Sequence, residues 1–333
     1  MEVAILPNYI IRKLIQPDDY AAVAPLLNFI YPEPTTAERL REDEESIPPG
    51  QLHYNEENEL MGWDRPKWVA VDEREQIVGY AIAWRAPWTE LGTLIQTVVV
   101  HPEFRGKGIG AALYAALHQW AMEVKASRLI DFIRENDKES VSFAERRGYE
   151  KERHMFESVL DLDNFDGGTL VGAIDEAKKA GIRFVTLAEE PGEAGERKLY
   201  ELYKTTQPDI PGYAEDFPWF EEWKKWNIDR PGIRPEWIHI AKDGDRYVGV
   251  VTLQQNEQTR AMYHEYTGVL REYRGRRIAL ALKMLGVQTA KSNAVPYLKT
   301  HNDSMNAPML RINRDLIGFR PEPGRYKMVR KLG

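Results

Sequence analysis

The sequence predicts a mixed α/β fold that occurs twice in the chain, each copy a mixed antiparallel and parallel sheet flanked by helices. Three observations support this prediction. The chain has 333 residues, which is enough for two domains of about 150 residues each. A pair of strand-like runs followed by a glycine-rich turn recurs in each half. After each turn the apolar pattern changes from strand to helix, an order typical of mixed α/β architectures.

The first repeated element is a β-hairpin. Apolar and β-branched runs at 68–71 and 77–83 lie on either side of a charged turn, and runs at 237–240 and 247–251 repeat the arrangement. Two such runs around a polar turn are typical of a hairpin. We therefore expect the tryptophan that opens each copy to lie in equivalent strands.

The second repeated element is the glycine-rich turn itself. Residues 98–110 read VVVHPEFRGKGIG, and residues 267–279 read TGVLREYRGRRIA. The interval from the tryptophan to the turn arginine is 37 positions in both copies, and from that arginine to a later Gly-aromatic pair it is 43 and 44 positions. Because chance rarely keeps three landmarks in register, these intervals indicate two copies of one fold.

The boundary between the copies is predicted in an acidic stretch that contains two glycines. Residues 161–168 read DLDNFDGG and separate two periodic regions, as turn-forming clusters do. We therefore assign 1–162 to an N-terminal domain, 163–168 to a linker and 169–333 to a C-terminal domain.

A helix is predicted after each turn. Apolar residues recur at steps of three or four, which places them on one helical face. In the first copy they are Ile109, Leu113, Leu117, Trp120 and Val124, and in the second copy Ile278, Leu282 and Leu285.

The strand, turn and helix together predict an anion site. Free N–H groups at the start of a helix, with glycines that allow close approach, favour a phosphate or pyrophosphate. The alternative is a tight strand-to-helix turn without a ligand. The turn has no Gly-Lys-Ser/Thr and does not match the full dinucleotide fingerprint, so a nucleotide-phosphate site is not favoured.

Composition excludes several other function classes. The 45 basic and 52 acidic side chains give a net charge of −7, which disfavours nucleic acid and anionic membranes as partners. The chain has no cysteine, so disulfides, thiolate metal sites and thiol nucleophiles are excluded. Its histidines and carboxylates do not predict a metal site, and no apolar run is long enough to span a membrane. We expect a soluble, cytoplasmic protein.

At the glycine-rich turn the sequence resembles the GCN5-related N-acetyltransferases (GNAT), whose coenzyme A loop reads Arg/Gln-x-x-Gly-x-Gly/Ala after a strand. Arg105, Gly108 and Gly110 match this pattern. In the second copy Arg274 and Ala279 match. Later residues of each copy resemble the family's following helix and closing Gly-aromatic pair, as in tandem members of the mycothiol synthase type. These residues are Asn136, Phe143, Gly148 and Tyr149 in the first copy, and Asn306, Met309, Asn313, Gly318 and Phe319 in the second.

The resemblance implies a function and a set of contacts. It implies an N-acetyltransferase that moves an acetyl group from acetyl-CoA to a primary amine of a small molecule or peptide. It also implies that the strand before the loop diverges from its neighbour and offers its amides to the cosubstrate. The implied coenzyme A contacts are Val98, Val99, Val100, Arg105, Gly106, Lys107, Gly108, Ile109, Gly110, Asn136, Val269, Arg274, Gly275 and Arg276.

Two departures from the family pattern bear on this expectation. Arg277 stands where the family places a glycine, and its side chain either crowds the pyrophosphate or pairs with it. Many members carry a tyrosine acid four residues before the Gly-aromatic pair. Here that position holds Ala144 in the first copy and Asn313 or Arg314 in the second.

Glu265 is the candidate catalytic base. Strand alternation places it on one face with Thr267, as it places Gln96 with Val98 in the first copy, and no other carboxylate lies at such a position. The alternative is a salt-bridged strand glutamate. His101, His264 and His301 are weaker candidates, and the aromatic series Trp219, Phe220, Trp223 and Trp226 is more typical of packing than of a substrate wall.

Two functions from different classes therefore remain open. The intact first loop and Glu265 favour an acetyltransferase. The missing tyrosine acids favour a catalytically degenerate module that binds coenzyme A or a protein partner. Neither the acceptor nor the oligomeric state follows from the sequence.

Overall fold

The computed structural model describes residues 2–6, 8–31, 34–46, 50–85, 89–213, 217–256 and 260–332. They form two compact units. Unit 1 comprises Met1–Glu152 with Tyr326–Gly333, and unit 2 comprises Arg153–Arg325. Within the described ranges, no helix is both long and apolar enough to cross a membrane.

Runs of strands and helices follow one another along the chain. The strands are β1 (Glu2–Leu6), β2 (Tyr9–Lys13), β3 (Leu52–Tyr54), β4 (Leu60–Gly62), β5 (Lys67–Asp72), β6 (Ile77–Trp84), β7 (Thr93–Val100), β8 (Arg128–Arg134), β9 (Glu150–Asp161), β10 (Arg183–Thr186), β11 (Ile233–Asp243), β12 (Arg246–Gln255), β13 (Met262–Val269), β14 (Tyr297–Asp303), β15 (Arg320–Pro321) and β16 (Arg325–Lys331). The helices are α1 (Tyr20–Leu27), α2 (Ala37–Ser46), α3 (Ile109–Glu123), α4 (Lys138–Glu145), α5 (Gly172–Lys179), α6 (Glu193–Thr206), α7 (Phe220–Asn227), α8 (Ile278–Ser292) and α9 (Ala307–Leu310), which continues into a π-helical turn at Arg311–Ile317.

Unit 1 is built on a mixed sheet with the strand order β1-β2-β5-β6-β7-β8-β16. The pairs from β1 to β7 are antiparallel, and β7 pairs with β8 in parallel. The apolar face of α3 packs on one side of this sheet and α1 on the other. A separate two-stranded hairpin joins β3 to β4.

Unit 2 repeats this plan with the strand order β14-β13-β12-β11-β10, preceded by the part of β9 that follows Glu152. Its pairs are antiparallel except β13–β14, which is parallel. Helix α8 occupies the place that α3 has in unit 1. The predicted fold class is thus confirmed, and both tryptophan-led hairpins are strands.

One glycine in each unit brings the helix close to the sheet. A Cβ atom added to Gly79 would lie 2.9 Å from Leu113 Cδ1 and 3.2 Å from Ile109 Cγ2. A Cβ atom added to Gly249 would lie 3.0 Å from Leu282 Cδ1 and 3.3 Å from a methyl group of Ile278. These helix residues hold equivalent positions in the repeat, so the two copies share this helix–strand contact.

The predicted helical faces are buried as expected at their centres. Leu113, Leu117 and Leu282 have no exposed surface. Trp120, farther along α3, is only partly buried and packs against the core from its edge.

The π-helical turn accounts for the one-residue difference between the copies. Asp137 and Asn306 are the N-caps of α4 and α9. From these caps to the closing Gly-aromatic pair, the second copy has one residue more. A π-turn absorbs a single extra residue without breaking the helix.

The compact units do not follow the boundary expected at 163–168. Strand β9 runs beside β14, from Asp161 opposite Tyr297 to Met155 opposite Asp303. Conversely, Met328 on β16 is fully buried in the core of unit 1. Each sequence copy therefore supplies its last strand to the other unit, which no local signal at the linker indicates.

Candidate active site

Strands β7 and β8 of unit 1 part before the glycine-rich loop. Their parallel register ends at the pair Gln96 and Asp131. Beyond it β7 continues to Val100 and β8 to Arg134. The two strands therefore leave an opening between them that leads to the loop.

The register of β7 decides which of its amides face this opening. The His101 N–H donates to the Val78 carbonyl at 2.9 Å, so the odd-numbered residues of β7 exchange hydrogen bonds with β6. Val98 and Val100 then direct their N–H groups to the opposite side, where β8 has departed. Val99, also expected to contact coenzyme A, has its N–H directed to β6 and its side chain in the core under α1.

The loop after β7 has the backbone of an anion site. Gly106 and Gly108 have φ values of +76° and +84°, a left-handed region that costs other residues about 1–2 kcal/mol. Gly108 is the N-cap of α3 and provides no side chain to cap it. The first N–H groups of α3, from Ile109 onward, lack an intrahelical acceptor and remain suited to an anion.

Arg105 links the loop to the strand end and to α4. Its Nε donates to the Val100 carbonyl at 3.3 Å, and its Nη1 lies 3.4 Å from a Glu139 carboxylate oxygen. It thereby holds the corner of the loop. Lys107 Nζ lies 4.7 Å from the centre of the Phe104 ring.

Gly110 and Asn136 flank this loop in different ways. A Cβ atom on Gly110 would make ordinary contacts of 3.6 Å with Phe143 and Val100. Asn136 lies in the turn after β8. The N-cap of α4 is the next residue, Asp137, which accepts a hydrogen bond from the Ser140 N–H at 3.0 Å.

The second loop has the same backbone. Gly275 has a φ value of +79°, and Arg277, the N-cap of α8, has +58°. Arg274 Nε donates to the Val269 carbonyl at 3.1 Å, as Arg105 does to Val100. Arg276 lies over the Tyr273 ring, 4.9 Å from its centre. The two loops are therefore structural equivalents.

Carboxylates pair with the arginines of the second loop. Asp209 accepts hydrogen bonds from Arg271 and Arg274. These bonds, Arg271 first, hold the pKa of Asp209 below its usual value. Arg277 pairs with Glu176 at 2.8 Å. Three arginines of this loop, Arg271, Arg274 and Arg277, are therefore paired with carboxylates of unit 2.

A β-bulge at Glu265 breaks the predicted strand alternation. Tyr266 is opposite Thr252 and His264 is opposite Leu253, so Glu265 is the extra residue between them. Its carboxylate accepts a hydrogen bond from Arg230 Nη1 at 3.0 Å, and both side chains are partly exposed. Because a bulge re-aims side chains, the sequence equivalence of Glu265 with Gln96 does not extend to their surroundings.

A buried polar cluster lies where β13 and β14 part. Their pairing ends at His264 and Thr300. Lys283 Nζ lies 3.2 Å from His264 Nδ1 and 3.5 Å from Thr300 Oγ1. Burial lowers the pKa of Lys283 to about 7 and holds the pKa of His264 well below its usual value. Sequence reasoning missed Lys283, whose signal is a lysine within the apolar run of α8.

A buried polar pair lies at the equivalent place in unit 1. Gln96 Nε2 donates to Asp131 Oδ2 at 3.2 Å, and Gln96 is 3% exposed. Burial raises the pKa of Asp131 to about 7. Sequence reasoning also missed Asp131, whose signal is a lone carboxylate in the strand sequence RLIDFIR.

The position of the family's tyrosine acid can now be assigned in both copies. The Tyr149 N–H donates to the Ala144 carbonyl at 3.2 Å, and the Phe319 N–H donates to the Asn313 carbonyl at 2.9 Å. Asn313, not Arg314, therefore corresponds to Ala144. Its buried amide donates to Asn302 Oδ1 at 2.8 Å, and neither side chain is an acid.

His101 and Trp223 have structural surroundings. His101 accepts a hydrogen bond from the Glu103 N–H at 3.3 Å. In the aromatic series of α7, Trp223 is 1% exposed, whereas Trp219 is 82% exposed. Among the described residues, no group of His, Asp and Glu side chains could hold a metal ion.

Comparison with known proteins places the chain in a family. The family model described as Acetyltransferase (GNAT) family matches residues 26–149 and 196–312. A comparison with curated protein sequences finds no match.

Several solved structures share the fold over nearly the whole chain. A GCN5-related N-acetyltransferase from Sphaerobacter thermophilus has a TM-score of 0.65 and 22% identity, covering 98% of this chain and 97% of that one. A tandem GNAT protein from the clavulanic acid biosynthesis pathway has a TM-score of 0.61 and 18% identity, covering 98% and 99%. A glucosamine N-acetyltransferase region of a fungal multi-domain β-N-acetylglucosaminidase has a TM-score of 0.65 and 16% identity, and the match covers 98% of this chain and 38% of that one. With two matched regions and a glycine-rich loop in each, the chain belongs to the acetyltransferase (GNAT) family as a tandem member.

Proposed function

We propose that this protein is an acetyl-CoA-dependent N-acetyltransferase that acetylates a primary amine of a small molecule or peptide, with the cosubstrate in unit 1. One observation carries the proposal. In unit 1 two parallel strands part directly before a loop whose two left-handed glycines open a helix. This arrangement gives an extended cosubstrate the N–H groups of the strand, the N–H groups of the loop and an opening that connects them.

The residues of unit 1 fit coenzyme A along this path. The N–H groups at the start of α3 suit the pyrophosphate, which the positive end of the helix also favours. At Gly106, an added Cβ atom would meet nothing within 4 Å, so a ligand can approach the backbone there. The N–H groups of Val98 and Val100 suit the amide-bearing arm and the thioester oxygen, where a backbone donor stabilises developing negative charge.

The second loop is proposed not to bind coenzyme A. Arg271 and Arg274 are paired with Asp209, and Arg277 is paired with Glu176, so a pyrophosphate that used these arginines would have to displace the carboxylates. A side chain also occupies the left-handed position at Arg277. This observation favours the degenerate alternative for the second copy alone.

Glu265 is correspondingly assigned to structure. Its partner Arg230 lies at 3.0 Å, which matches the salt-bridged alternative, and it lies beside the loop that we propose does not bind the cosubstrate. We expect Glu265→Gln to leave the turnover of acetyl transfer unchanged, whereas loss of a positioned catalytic base would lower turnover by about 10² to 10⁴.

Calorimetric titration of acetyl-CoA into the full chain tests the proposal. We expect one binding site, and we expect Gly108→Val to weaken binding at least tenfold, about 1.4 kcal/mol, because a β-branched side chain blocks the approach of the pyrophosphate. The matched control is Arg277→Val, which places the same residue at the same left-handed position of the second loop. Equal weakening by both changes, or by Arg277→Val alone, would place the site elsewhere.

A further inference from the structure

Asp131 lies on the face of unit 1 that packs under α3. Its strand neighbours Leu129 and Ile133 are buried in the core that α3 covers. Because alternate residues of a strand share a face, Asp131 points to the same side. It is also the last residue of β8 that pairs with β7 before the strands part.

The surroundings of Asp131 suit a group that holds a proton. Gln96 Nε2 donates to its Oδ2 at 3.2 Å, while the buried Oε1 atom of Gln96 has no hydrogen-bond partner among the described residues. Burial raises the pKa of Asp131 to about 7, against weaker opposing hydrogen bonds from Gln96 and the Phe132 N–H. Asp131 nonetheless remains partly accessible to solvent, as expected of a group in the wall of a cleft.

The other ionisable groups on this side of the sheet include Tyr149, Tyr114, His118, Arg147 and Arg330. Tyr149 is buried in the same core, and the Asp131 carboxylate adds to the burial that raises the Tyr149 pKa. The Tyr114 hydroxyl on α3 accepts a hydrogen bond from Arg330 Nη1 at 2.6 Å. The raised pKa of Tyr149 makes it a poor acid near neutral pH, and burial lowers the pKa of His118 below its usual value. The arginines keep their protons, so Asp131 is the group here suited to donate a proton.

Helix α4 contributes no acid to this layer. Ala144, in the position where the family often has its acid, is 4% exposed and packs in the same core as Leu129 and Ile133. The layer therefore contains a carboxyl group on the strand and a methyl group on the helix.

We propose that Asp131 is the catalytic acid, whose carboxyl proton passes to the sulfur atom of coenzyme A as the acyl group leaves. This inference rests on the proposed function. The amine nitrogen bonds to the thioester carbon, and the carbon–sulfur bond breaks with its electron pair on sulfur. Asp131 gives its proton to that sulfur, and the surplus proton of the amine passes to water.

The geometry of β7 supports this placement. The five residue steps from Gln96 to His101 span roughly 17 Å at the usual strand rise. A pyrophosphate at the loop would thus lie at one end of the opening, and an extended arm would carry the sulfur toward the other end, where Asp131 lies.

Binding of two ligands to the full chain tests the proposal without an acceptor. Coenzyme A and desulfo-coenzyme A, which lacks the sulfur, are titrated by calorimetry at pH 6 and pH 10. An alkyl thiol has a pKa of about 8.5, so at pH 10 nearly all of the free thiol is a thiolate, which the negative Asp131 repels. Because only about 3% of the thiol stays protonated at pH 10, we expect the affinity of coenzyme A relative to desulfo-coenzyme A to fall at least tenfold between these pH values.

The variants decide whether Asp131 causes this fall. Asp131→Asn keeps the shape of the protonated acid, and its relative affinity should change threefold or less. Asp72→Asn, at the end of β5, is the matched control and should behave as the wild type. Asp131→Ser replaces Asp131→Asn if that variant fails to fold.

The outcomes separate this inference from the proposed function. An equal fall in Asp131→Asn, or no fall in the wild type, overturns the role of Asp131 while coenzyme A binding stands. If the wild type binds neither ligand, the proposed function fails, and the inference fails with it.

Discussion

At the scale of single residues, the buried Lys283 makes the stability of the fold depend on pH. Its pKa is about 7 in the folded chain, against about 10.4 in an unfolded one. Between these values the unfolded chain binds a proton that the folded chain does not, so stability rises as pH increases from about 7 to about 10. We expect Lys283→Met to be more stable than the wild type at pH 7 and to lose this rise. Urea unfolding at pH 7 and pH 9.5 measures both effects.

His264 does not alter this expectation. Its pKa is lowered by burial first and by Lys283 second, so it titrates below the range in question. His264→Leu serves as the control and should keep the rise between pH 7 and pH 9.5. A wild type whose stability is flat across this range would show that Lys283 stays charged when buried.

The residues of the loops could be predicted, whereas the buried polar groups could not. Gly106, Gly108 and Arg105 form a local pattern whose backbone consequences follow from residue type. Asp131 and Lys283 owe their pKa values to elements distant in sequence. Strand alternation predicts the face on which Glu265 lies, but the β-bulge at Glu265 interrupts the alternation. The bulge depends on the register between β13 and β12, which the local sequence does not show.

At the scale of elements, the contact between helix and sheet depends on one glycine in each unit. A methyl group on Gly79 would lie 2.9 Å from Leu113 Cδ1 and 3.3 Å from the Val99 carbonyl oxygen. Because overpacking a core costs about 1–3 kcal/mol, we expect Gly79→Ala to lower the free energy of unfolding by that amount. Gly249→Ala should behave similarly in unit 2. Urea unfolding measures both changes.

Gly172→Ala is the matched control for these substitutions. It lies at the start of α5, where an added Cβ would meet nothing within 4 Å, so its effect should be neutral or slightly stabilising. If Gly79→Ala is as stable as Gly172→Ala, the helix has room to shift, and the close approach is not required.

Hairpins and helices were predictable because their apolar periods are local. The π-helical turn at Arg311–Ile317 was not, although the repeat showed one extra residue in the second copy. Its location became clear only from the equivalent N-caps Asp137 and Asn306 and from the hydrogen bonds to Ala144 and Asn313. The longer interval between the loop arginine and the Gly-aromatic pair thus showed that the second copy has one extra residue, but it did not show where that residue lies.

At the scale of the whole molecule, the sequence copies and the compact units differ by one strand each. Sequence similarity follows the chain, so the repeat predicts a cut at 163–168. Packing follows contacts, and β16 belongs with unit 1 while β9 beyond Glu152 belongs with unit 2. A cut at Gly167–Gly168 would therefore deprive each fragment of a strand that its own sheet requires.

Truncation after Arg325 tests this assignment. It removes Met328, which has no exposed surface, and Lys327, whose Nζ lies 2.7 Å from Glu152. It also removes the hydrogen bond from the Leu332 N–H to the Ser127 carbonyl at 2.8 Å. We expect hydrogen exchange to accelerate in β8 and α3 of unit 1 and to stay slow in α8 of unit 2.

Point substitutions separate the loss of the strand from the loss of chain length. Met328→Ala should destabilise unit 1 by about 2–5 kcal/mol, because truncating a buried methionine removes its packing and leaves a cavity. Met328→Leu conserves volume and should cost less than about 1.5 kcal/mol. If truncation leaves β8 and α3 protected, β16 is dispensable, and unit 1 ends within the first sequence copy. If hydrogen exchange accelerates in α8 instead, the terminal strand β16 belongs to unit 2, which would contradict its packing in unit 1.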